Sequence, residues 1–317
     1  MFNSESQPTV LMPGFTPGAV AGILPVEHAI GNTAGTDVRF IALASGSKGN
    51  CSAIVMRSGG VTRTILVDLG IHPKRANQLL IERGVPPHSV ECALLTHLDS
   101  DHAHPAWCQH LPRHATIRMH KTHAGRAGRQ GMLFHRSEPF DGAFVTDPVG
   151  GIRVDPVMMS HDEQGVASFR FTFACGATMG FATDLGRATQ KLIDHMKGVD
   201  VLVIESNYCP ILQQKSSRPA FLKRRIMNGS GHLSNQQCLD AVKAIEPREH
   251  VVLIHLSQEC NRPELVLDMH AGADYALTIA TQDEPTRWVR VGRRMQVQFG
   301  QTLQANAATD ATMPACD

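Results

Sequence analysis

The chain has 317 residues, 42% of them hydrophobic, which is enough to bury the core of one large domain. Lys and Arg number 30 against 29 Asp and Glu, so the net charge excludes a strongly basic nucleic-acid-binding protein of the histone type. Any contact with DNA or RNA must therefore use a local basic patch.

The eight cysteines are scattered without a C-x-x-C pair, a pattern typical of reduced thiols in a cytosol. The first residues lack a basic start followed by a long apolar stretch, and no run of 18 apolar residues occurs. We therefore expect a cytoplasmic protein without a membrane partner. Residues 1–36 and 304–317 are poor in core-forming residues and are interpreted as flexible tails around one domain at 37–303.

Short β-branched runs alternate with helical patterns along the middle of the chain. The predicted strands are 38–44, 62–70, 91–98, 179–186, 199–206 and 250–257. The predicted helices are 73–84, 187–197, 218–228 and 234–245, the last with Ser234 and Gln237 as a capping box. This alternation predicts a layered α/β fold. Dinucleotide-binding and P-loop glycine motifs are absent from the sequence.

Polar residues stand at the carboxyl ends of the predicted strands, where the ligand sites of α/β folds are found. These residues are Asp68, His97, Asp184, Glu205 and His255. A common position at one edge of a sheet predicts that their side chains lie close together.

The segment 96–104, THLDSDHAH, is the most informative part of the sequence. His97, Asp99, Asp101 and His102 cannot all be buried without partners, and a loop that wraps them around cations supplies those partners. Residues 97 and 99 can face one ion while 101 and 102 face a second, in mixed shells suited to Zn²⁺ or Mn²⁺. A solvated His/Asp-rich turn is the alternative. The later strand-end residues and His161, which follows an apolar stretch, favour the metal site.

The ordered set H-x-D-x-D-H, His161 in S-H-D, Asp184 in T-D-L-G and His255 in H-L-S resembles the signature of the metallo-β-lactamase superfamily. Several further words resemble its WalJ/YycJ-like branch of exonucleases. They include SGSKGN (45–50), LVDLG (66–70), SHDEQGVASFRF (161–172), VLVIESN (201–207), FLKRRI (221–226), GHLSNQQ (231–237) and HLSQECNRPEL (255–265).

The resemblance implies a four-layer αβ/βα sandwich with two divalent ions, zinc or manganese, at one edge. The implied ligands are His97, Asp99 and His161 for the first ion, Asp101, His102 and His255 for the second, and Asp184 as the bridge. Asp68 would orient a ligand histidine, with a simple strand-end cap as the alternative.

Asp99 departs from the usual pattern, because most members of the superfamily have histidine there. A carboxylate in this place makes the ligand set of the first ion harder and favours Mn²⁺ over Zn²⁺. The superfamily domain of DNA-uptake proteins resembles this variant, so Asp99 does not by itself imply an inactive site. His104 is an alternative ligand.

Two ions about 3.5–4 Å apart acidify a bridging water and clamp the attacking and leaving oxygens of a displacement. This chemistry serves phosphodiesters, but also thioesters and lactams. Glu205 and His232 resemble residues of tRNase Z-like enzymes in which a glutamate-oriented histidine protonates the leaving oxygen. With Asp101 they are the predicted catalytic residues, although His232 can also be a plain helix-start residue.

Two segments are candidates for binding the substrate. Lys223, Arg224 and Arg225 belong to a basic run that can hold phosphates, with a solvated helix face as the alternative. The loop with Ser45, Lys48 and Asn50 can direct backbone N–H groups at an anion, or be a plain turn between two strands.

The branch resemblance implies a DNA exonuclease that acts 5′ to 3′, with DNA favoured over RNA. An RNA-processing nuclease and a small-molecule phosphodiesterase share the chemistry, and a non-catalytic regulatory protein whose first site has decayed at Asp99 is a further alternative. Only about 70 residues separate Asp184 from His255, which argues against the larger nuclease subgroup with a β-CASP insertion. The sequence is also compatible with a homo-oligomer.

Overall fold

The computed structural model describes residues 36–146, 151–161, 164–229 and 231–292. Nearly all of both proposed tails, and the domain boundary at 303, lie outside these residues. All described residues fall in one compact unit.

The described chain contains thirteen strands and eight α-helices. The strands are β1 (Asp37–Ala44), β2 (Cys51–Ser58), β3 (Val61–Val67), β4 (Val90–Leu94), β5 (Thr116–Arg118), β6 (Phe144–Thr146), β7 (Ile152–Met159), β8 (Val166–Thr172), β9 (Thr178–Ala182), β10 (Val201–Glu205), β11 (His250–Ile254), β12 (Ala276–Ile279) and β13 (Val289–Arg290). The helices are α1 (Pro73–Glu82), α2 (Trp107–His110), α3 (Lys121–Arg129), α4 (Gln190–Met196), α5 (Pro210–Lys215), α6 (Ala220–Met227), α7 (Asn235–Ile245) and α8 (Pro263–Met269).

The strands form two mixed sheets. The first has the order β13-β1-β2-β3-β4-β5, and the second has the order β12-β11-β10-β9-β8-β7-β6. Strands β3 to β5 are parallel to one another, as are β9 to β12. Each sheet therefore has a block of parallel strands whose carboxyl ends share one edge.

Alternating side chains build the layers, because successive residues of a strand point to opposite faces of a sheet. In β1, Phe40 packs between the two sheets, whereas Ile41 packs against the helices outside the first sheet. In β10, Val203 faces the space between the sheets and Ile204 faces the helices outside the second sheet. The result is helices, sheet, sheet and helices, which confirms the predicted four-layer αβ/βα sandwich.

Five of the six predicted strands end one to four residues earlier in the structure than the sequence indicated, and three of these ends are followed by a residue with a positive φ angle. Strands β3 and β11 end directly before Asp68 and His255, and β9 ends two residues before Asp184; the φ angles of Asp68, Asp184 and His255 are 62°, 53° and 55°. These angles lie in the left-handed region, which interrupts a β-ladder and costs about 1–3 kcal/mol for a residue other than glycine. The strain is thus concentrated at the strand ends that the sequence singled out.

None of the helices in the described part of the chain has the length and hydropathy that crossing a bilayer requires.

Candidate metal centre

Polar side chains from both sheets meet at the edge where the parallel strands end. Asp68 follows β3, the segment 96–104 follows β4, and Asp184 and His255 follow β9 and β11. The two sheets come into direct contact here, since Nε2 of His102 lies 3.0 Å from Oδ2 of Asp184. The fold therefore brings together residues more than 150 positions apart in the chain.

The segment 96–104 is fixed by backbone hydrogen bonds to the loops after β1 and β3. The N–H of Asn50 donates to the carbonyl of Asp101 at 2.7 Å, and the N–H of Leu69 donates to that of His102 at 2.7 Å. Gly70 packs so closely that a Cβ atom there would overlap the carbonyl group of Asp101. The loop is therefore shaped by the fold itself.

Among the described residues the potential ligand atoms gather in three overlapping groups, each with all of its atoms within 4.8 Å of one another. One group is Asp184, Glu205, His232 and His255, and it contains the predicted acid pair. The other two match the predicted ligand sets and are called the first group and the second group. The first group is His97, His161 and Asp184, and the second group is Asp101, His102 and His255. Asp184 also reaches the second group, because its Oδ1 lies 3.5 Å from Nε2 of His255. This position between the groups agrees with the predicted bridging role of Asp184.

Asp68 orients His102 in the second group. Nδ1 of His102 donates to Oδ2 of Asp68 at 2.7 Å, and both side chains are buried. The carboxylate of Asp68 is itself held by the N–H and the hydroxyl of Thr96, at 2.8 and 2.9 Å. Nε2 of His102 is thereby directed at the carboxylates of Asp184 and Asp101. A carboxylate behind a histidine is a common arrangement in metal sites.

His255 carries a buried nitrogen that suits a metal ion. Its Nδ1 lies 2.9 Å from the side-chain amide of Asn207. Its Nε2 has no hydrogen-bond partner among the described residues, and the nearest oxygens of Asp101 and Asp184 are both 3.5 Å away. Because a buried polar atom without a partner is costly, a cation between these three side chains would satisfy all of them. The donor set therefore fits a divalent ion.

The charges in the cluster are strongly coupled. Burial opposes a charge on His102, but Asp184 and Asp68 outweigh it and hold its pKa well above the usual value. Burial likewise opposes a charge on His255, but Asp184 and Asp101 raise its pKa to about 9. Asp184 remains ionised, because His255 and His102 outweigh its burial and keep its pKa well below the usual range. Without a metal ion, protons on these histidines balance the carboxylates.

The first group is held by weaker partners. Burial and the nearby His102 keep the pKa of His97 well below its usual value. Nδ1 of His97 lies 3.0 Å from the hydroxyl of Thr96, and Nδ1 of His161 donates to the carbonyl of Gly231 at 3.2 Å. Both histidines therefore keep Nε2 for a ligand, and neither has a carboxylate behind it.

Two residues predicted as ligands of the first ion lie outside both groups. Oδ1 of Asp99 accepts a hydrogen bond from Arg126 of α3 at 3.1 Å, while its Oδ2 is 3.8 Å from Nε2 of His97. The cationic guanidinium competes with any metal ion for this carboxylate. His104, the alternative ligand, uses Nδ1 to accept the N–H of Ala106 at 3.1 Å, and its ring packs against that of His72.

Glu205 and His232 form a hydrogen-bonded pair beside the metal groups. The fully buried Glu205 accepts the N–H groups of Leu185 and Leu233 on Oε1, at 2.6 and 3.0 Å. Its Oε2 lies 3.1 Å from Nδ1 of His232. The His232 ring stacks on that of His255, with centroids 5.1 Å apart, and its side chain is 20% exposed. This imidazole is thus oriented from behind and reachable from solvent.

The residues predicted in the 45–50 loop have different surroundings. Ser45 is buried, and its hydroxyl accepts the N–H of His255 at 2.8 Å. Asn50 is buried as well, and its amide lies 3.1 Å from Nε2 of His102. Lys48 is exposed. The structure therefore places Ser45 against the backbone of His255 and Asn50 beside the Nε2 atom of His102, and leaves only Lys48 of the three at the surface.

The predicted basic residues lie on α6. The ammonium of Lys223 donates to the carbonyls of Gln214 and Ser216, at 2.8 and 2.5 Å, and so connects α6 to the end of α5. Arg224 and Arg225 are exposed. The structure thus separates Lys223, which braces the fold, from two arginines that face solvent.

Three supporting residues were missed by the sequence interpretation: Arg126, Asn207 and Gly231. Asn207 follows Glu205 at a strand end, so the rule that found the other strand-end residues applies to it as well. Gly231 stands directly before His232 in the quoted word GHLSNQQ. Arg126 had no such signal, since it lies in a glycine-containing segment with four other basic residues around it.

Residues 63–256 match the sequence profile described as "Beta-lactamase superfamily domain", and the chain belongs to this family. The fold and the His/Asp cluster together define a metal-dependent hydrolase.

Among characterised relatives, the chain is 26% identical over 265 residues to the Exodeoxyribonuclease WalJ of Streptococcus pneumoniae, covering 78% of this chain and 96% of that protein. It is 27% identical over 239 residues to the Exodeoxyribonuclease YycJ of Bacillus anthracis, covering 72% and 86%. Among solved structures, the metallo-β-lactamase fold protein YhfI of Bacillus subtilis superposes with a TM-score of 0.57 at 16% identity, covering 78% and 98%. These similarities confirm the predicted superfamily.

Proposed function

We propose that the chain is a metal-dependent nuclease that hydrolyses phosphodiester bonds in DNA. The observation that carries the proposal is the Glu205–His232 pair beside the two metal groups. The alkoxide that leaves a phosphodiester is a poor leaving group and needs a proton, whereas an activated ester does not. An oriented, partly exposed imidazole next to the ligand cluster supplies that proton.

The proposed ligands are the first group and the second group, with Asp184 shared between them. Divalent ions bound there supply Lewis acidity and a nucleophile derived from water. Asp99 can bind the first ion only if its carboxylate releases Arg126. Its carboxylate then favours Mn²⁺ over Zn²⁺. Asp68 positions His102 throughout.

The chain's own residues divide the remaining work. Asp101, 25% exposed at the mouth of the second group, orients the attacking water by accepting a hydrogen bond from it. His232 protonates the leaving oxygen, and Glu205 orients the imidazole through its contact with Nδ1. Lys48, Arg224 and Arg225 contact substrate phosphates as exposed cations.

The relatives named exodeoxyribonuclease support DNA as the substrate, and the resemblance to their branch supports digestion from the 5′ end. The experiment is incubation of the purified protein with Mn²⁺ or Zn²⁺ and with single- and double-stranded DNA and RNA labelled at either end. We expect metal-dependent release of short products from DNA, with the 5′ label released first.

A matched pair of variants controls this assay. Asp184→Asn removes the shared carboxylate and is expected to abolish cleavage, whereas Asp240→Asn, an exposed carboxylate on α7, is expected to cleave like the wild type. Cleavage of RNA but not DNA would favour an RNA-processing nuclease. Cleavage of bis-p-nitrophenyl phosphate alone would favour a small-molecule phosphodiesterase, and a protein that binds no metal would favour a regulatory role.

A further inference from the structure

The carboxyl end of α6 is attached directly to the candidate metal centre. The N–H of His232 donates to the carbonyl of Ile226 at 3.3 Å, and the carbonyl of Gly231 accepts from His161. Gly231 lies so close to this helix that a Cβ atom there would be 2.6 Å from the carbonyl oxygen of Arg225. The last turn of α6 is therefore a neighbour of both the leaving-group acid and the first group.

The outer face of α6 combines an aromatic side chain with positive charge. Phe221 is 67% exposed and is the one aromatic among the exposed large hydrophobic side chains of the described residues. Arg224 and Arg225 follow it at the i+3 and i+4 positions, which places all three on one face of the helix. Ile226 is buried and anchors the opposite face.

The charge on this face is uncompensated within the helix, since α6 contains no acidic residue. Nearby cations have other roles: Lys223 donates to carbonyls of the α5–α6 turn, and Arg218 pairs with Glu259. Two exposed arginines and an exposed aromatic ring within one turn therefore remain at the surface beside the reaction centre. This combination matches what single-stranded nucleic acid presents, a chain of phosphates with bases that stack on aromatic rings.

We propose that Phe221, Arg224 and Arg225 form a strand-holding face, on which a base of single-stranded nucleic acid stacks on Phe221 while the arginines contact the adjoining phosphates. The face holds nucleotides of the strand whose end lies at the metal centre. It rests on the proposed nuclease function and deepens it, because a small diester has no neighbouring nucleotides that could stack on Phe221 or contact both arginines. Binding should therefore depend on the length of the strand.

The test is fluorescence anisotropy with labelled single-stranded DNA in EDTA, where no cleavage occurs. Oligonucleotides of about 4 and about 16 nucleotides cover the usual range of single-strand site sizes. We expect Phe221→Ala to weaken binding of the longer strand roughly 5- to 100-fold, the effect of losing one stacked base, and Phe221→Trp to retain it. Leu133→Ala is the matched control, because Leu133 is an apolar side chain that is 74% exposed and follows α3 instead of lying on α6.

The contribution of the arginines is tested separately, by the dependence of DNA affinity on salt concentration. Each of Arg224→Ala and Arg225→Ala should reduce the slope of log affinity against log salt by about 0.7, because each removes one phosphate contact with a single strand. In a Mn²⁺-loaded assay, the loss caused by Phe221→Ala should be larger for the longer DNA strand than for bis-p-nitrophenyl phosphate. Leu133→Ala should change neither.

The outcomes separate this proposal from the nuclease function. If the wild type cleaves the small diester but neither binds nor cleaves any oligonucleotide, the nuclease function fails and the strand-holding face fails with it. If the wild type binds and cleaves DNA while Phe221→Ala behaves like Leu133→Ala, only the strand-holding face is overturned. Equal losses on DNA and the small diester would also overturn it, because they would indicate damage transmitted to His232.

Discussion

The two metal groups differ in how firmly their histidines are held. In the second group, His102 donates directly to the buried carboxylate of Asp68 at 2.7 Å. In the first group, His97 lies 3.0 Å from the hydroxyl of Thr96, which in turn donates to Asp68. One carboxylate thus serves both groups, directly on one side and through a hydroxyl on the other. Since a carboxylate raises the basicity of a ligand histidine more than a neutral group does, the second group should bind its ion more tightly.

The same contrast extends to the acids. Asp101 lies within 3.6 Å of both histidines of the second group, whereas Asp99 is paired with Arg126. Arg126 therefore competes with the first ion for the carboxylate of Asp99. Neither histidine of the first group donates directly to a carboxylate of the described residues. We therefore predict that the two groups bind their ions with unequal affinity and share Asp184.

The largest expected effect concerns His232, which packs against a histidine of each group, His161 and His255. If it protonates the leaving oxygen for a reaction that both groups share, His232→Ala should slow DNA cleavage roughly 100- to 10,000-fold. Metal content, measured by elemental analysis, should stay unchanged because the proposed ligand set does not include His232. A lower metal content would indicate that His232 is a ligand, as its cluster with Asp184, Glu205 and His255 would also allow.

An activated substrate is the internal control for this variant. The phenolate of bis-p-nitrophenyl phosphate leaves without a proton, so its hydrolysis should lose much less. Glu205→Gln should follow the same pattern more mildly, because it changes the group that orients the imidazole. Equal losses on both substrates would refute the acid role of His232.

The next effect concerns Asp68, which holds His102 directly. Asp68→Asn should lower the metal affinity of the second group roughly 10- to 100-fold, because the amide is a weaker acceptor than the carboxylate. Competition with a fluorescent chelator measures the change. Asp200→Asn is the matched control: Asp200 is also a buried carboxylate that accepts a backbone N–H, but it binds Thr178 and Arg248 instead. Similar affinities for the two variants would contradict the positioning role.

A smaller effect is expected for Thr96, whose hydroxyl connects Asp68 to His97 through hydrogen bonds. Thr96→Val keeps the shape of the side chain and removes only the hydroxyl. The affinity of the first group should fall by less than Asp68→Asn lowers that of the second, because a neutral acceptor is lost rather than a charged one. Thr96→Ser should restore the wild-type value. If Thr96→Val lowered the metal affinity of the second group more than that of the first, the proposed link from Thr96 to His97 would be contradicted.

The number of protons released when metal binds is a further measure of the coupling between the histidines and carboxylates of the cluster. The pKa of His255 in the metal-free cluster is about 9, and that of His102 is well above its usual value, so both are protonated at neutral pH. A metal ion binds the neutral imidazoles, and its binding should release about two protons per chain near pH 7. The number should fall, and the affinity should rise, as the pH passes through about 9. Calorimetry in buffers of different ionisation enthalpy counts the protons, and a pH-independent value near zero would contradict this assignment.

Much of the fold was predictable because buried strands and capped helices have local signatures. The predicted helix at 234–245 is confirmed by α7 (Asn235–Ile245), with both hydrogen bonds of the Ser234–Gln237 capping box present. The ends of β3, β9 and β11 were not predictable, because nothing in an apolar run indicates that Asp68, Asp184 or His255 adopts a positive φ. Helix α3 was missed because KTHAGRAGR contains two glycines and few apolar residues.

The candidate site likewise has residues that were predictable from the sequence and partners that were not. Strand-end position, spacing and the family resemblance together selected seven ligands, and the structure gathers all of them except Asp99 within the first and second groups. The partners behind them depend on tertiary contacts, as between Asp99 and Arg126, which are 27 positions apart on different elements. Such pairs follow from the packing of α3 against the segment 96–104 and have no pattern in the sequence. The metal, catalytic and substrate-binding assignments stay predictions.

Elemental analysis during stepwise chelation measures the inequality of the two groups most directly. The protein is loaded with Zn²⁺ or Mn²⁺ and dialysed against increasing chelator, and the metal content per chain is followed. We predict two ions per chain, then a plateau at one while the second group remains filled, and finally none. The plateau should disappear in Asp68→Asn. Loss of both ions in a single step, or a loaded protein with only one ion or none, would contradict the account of two unequal groups sharing Asp184.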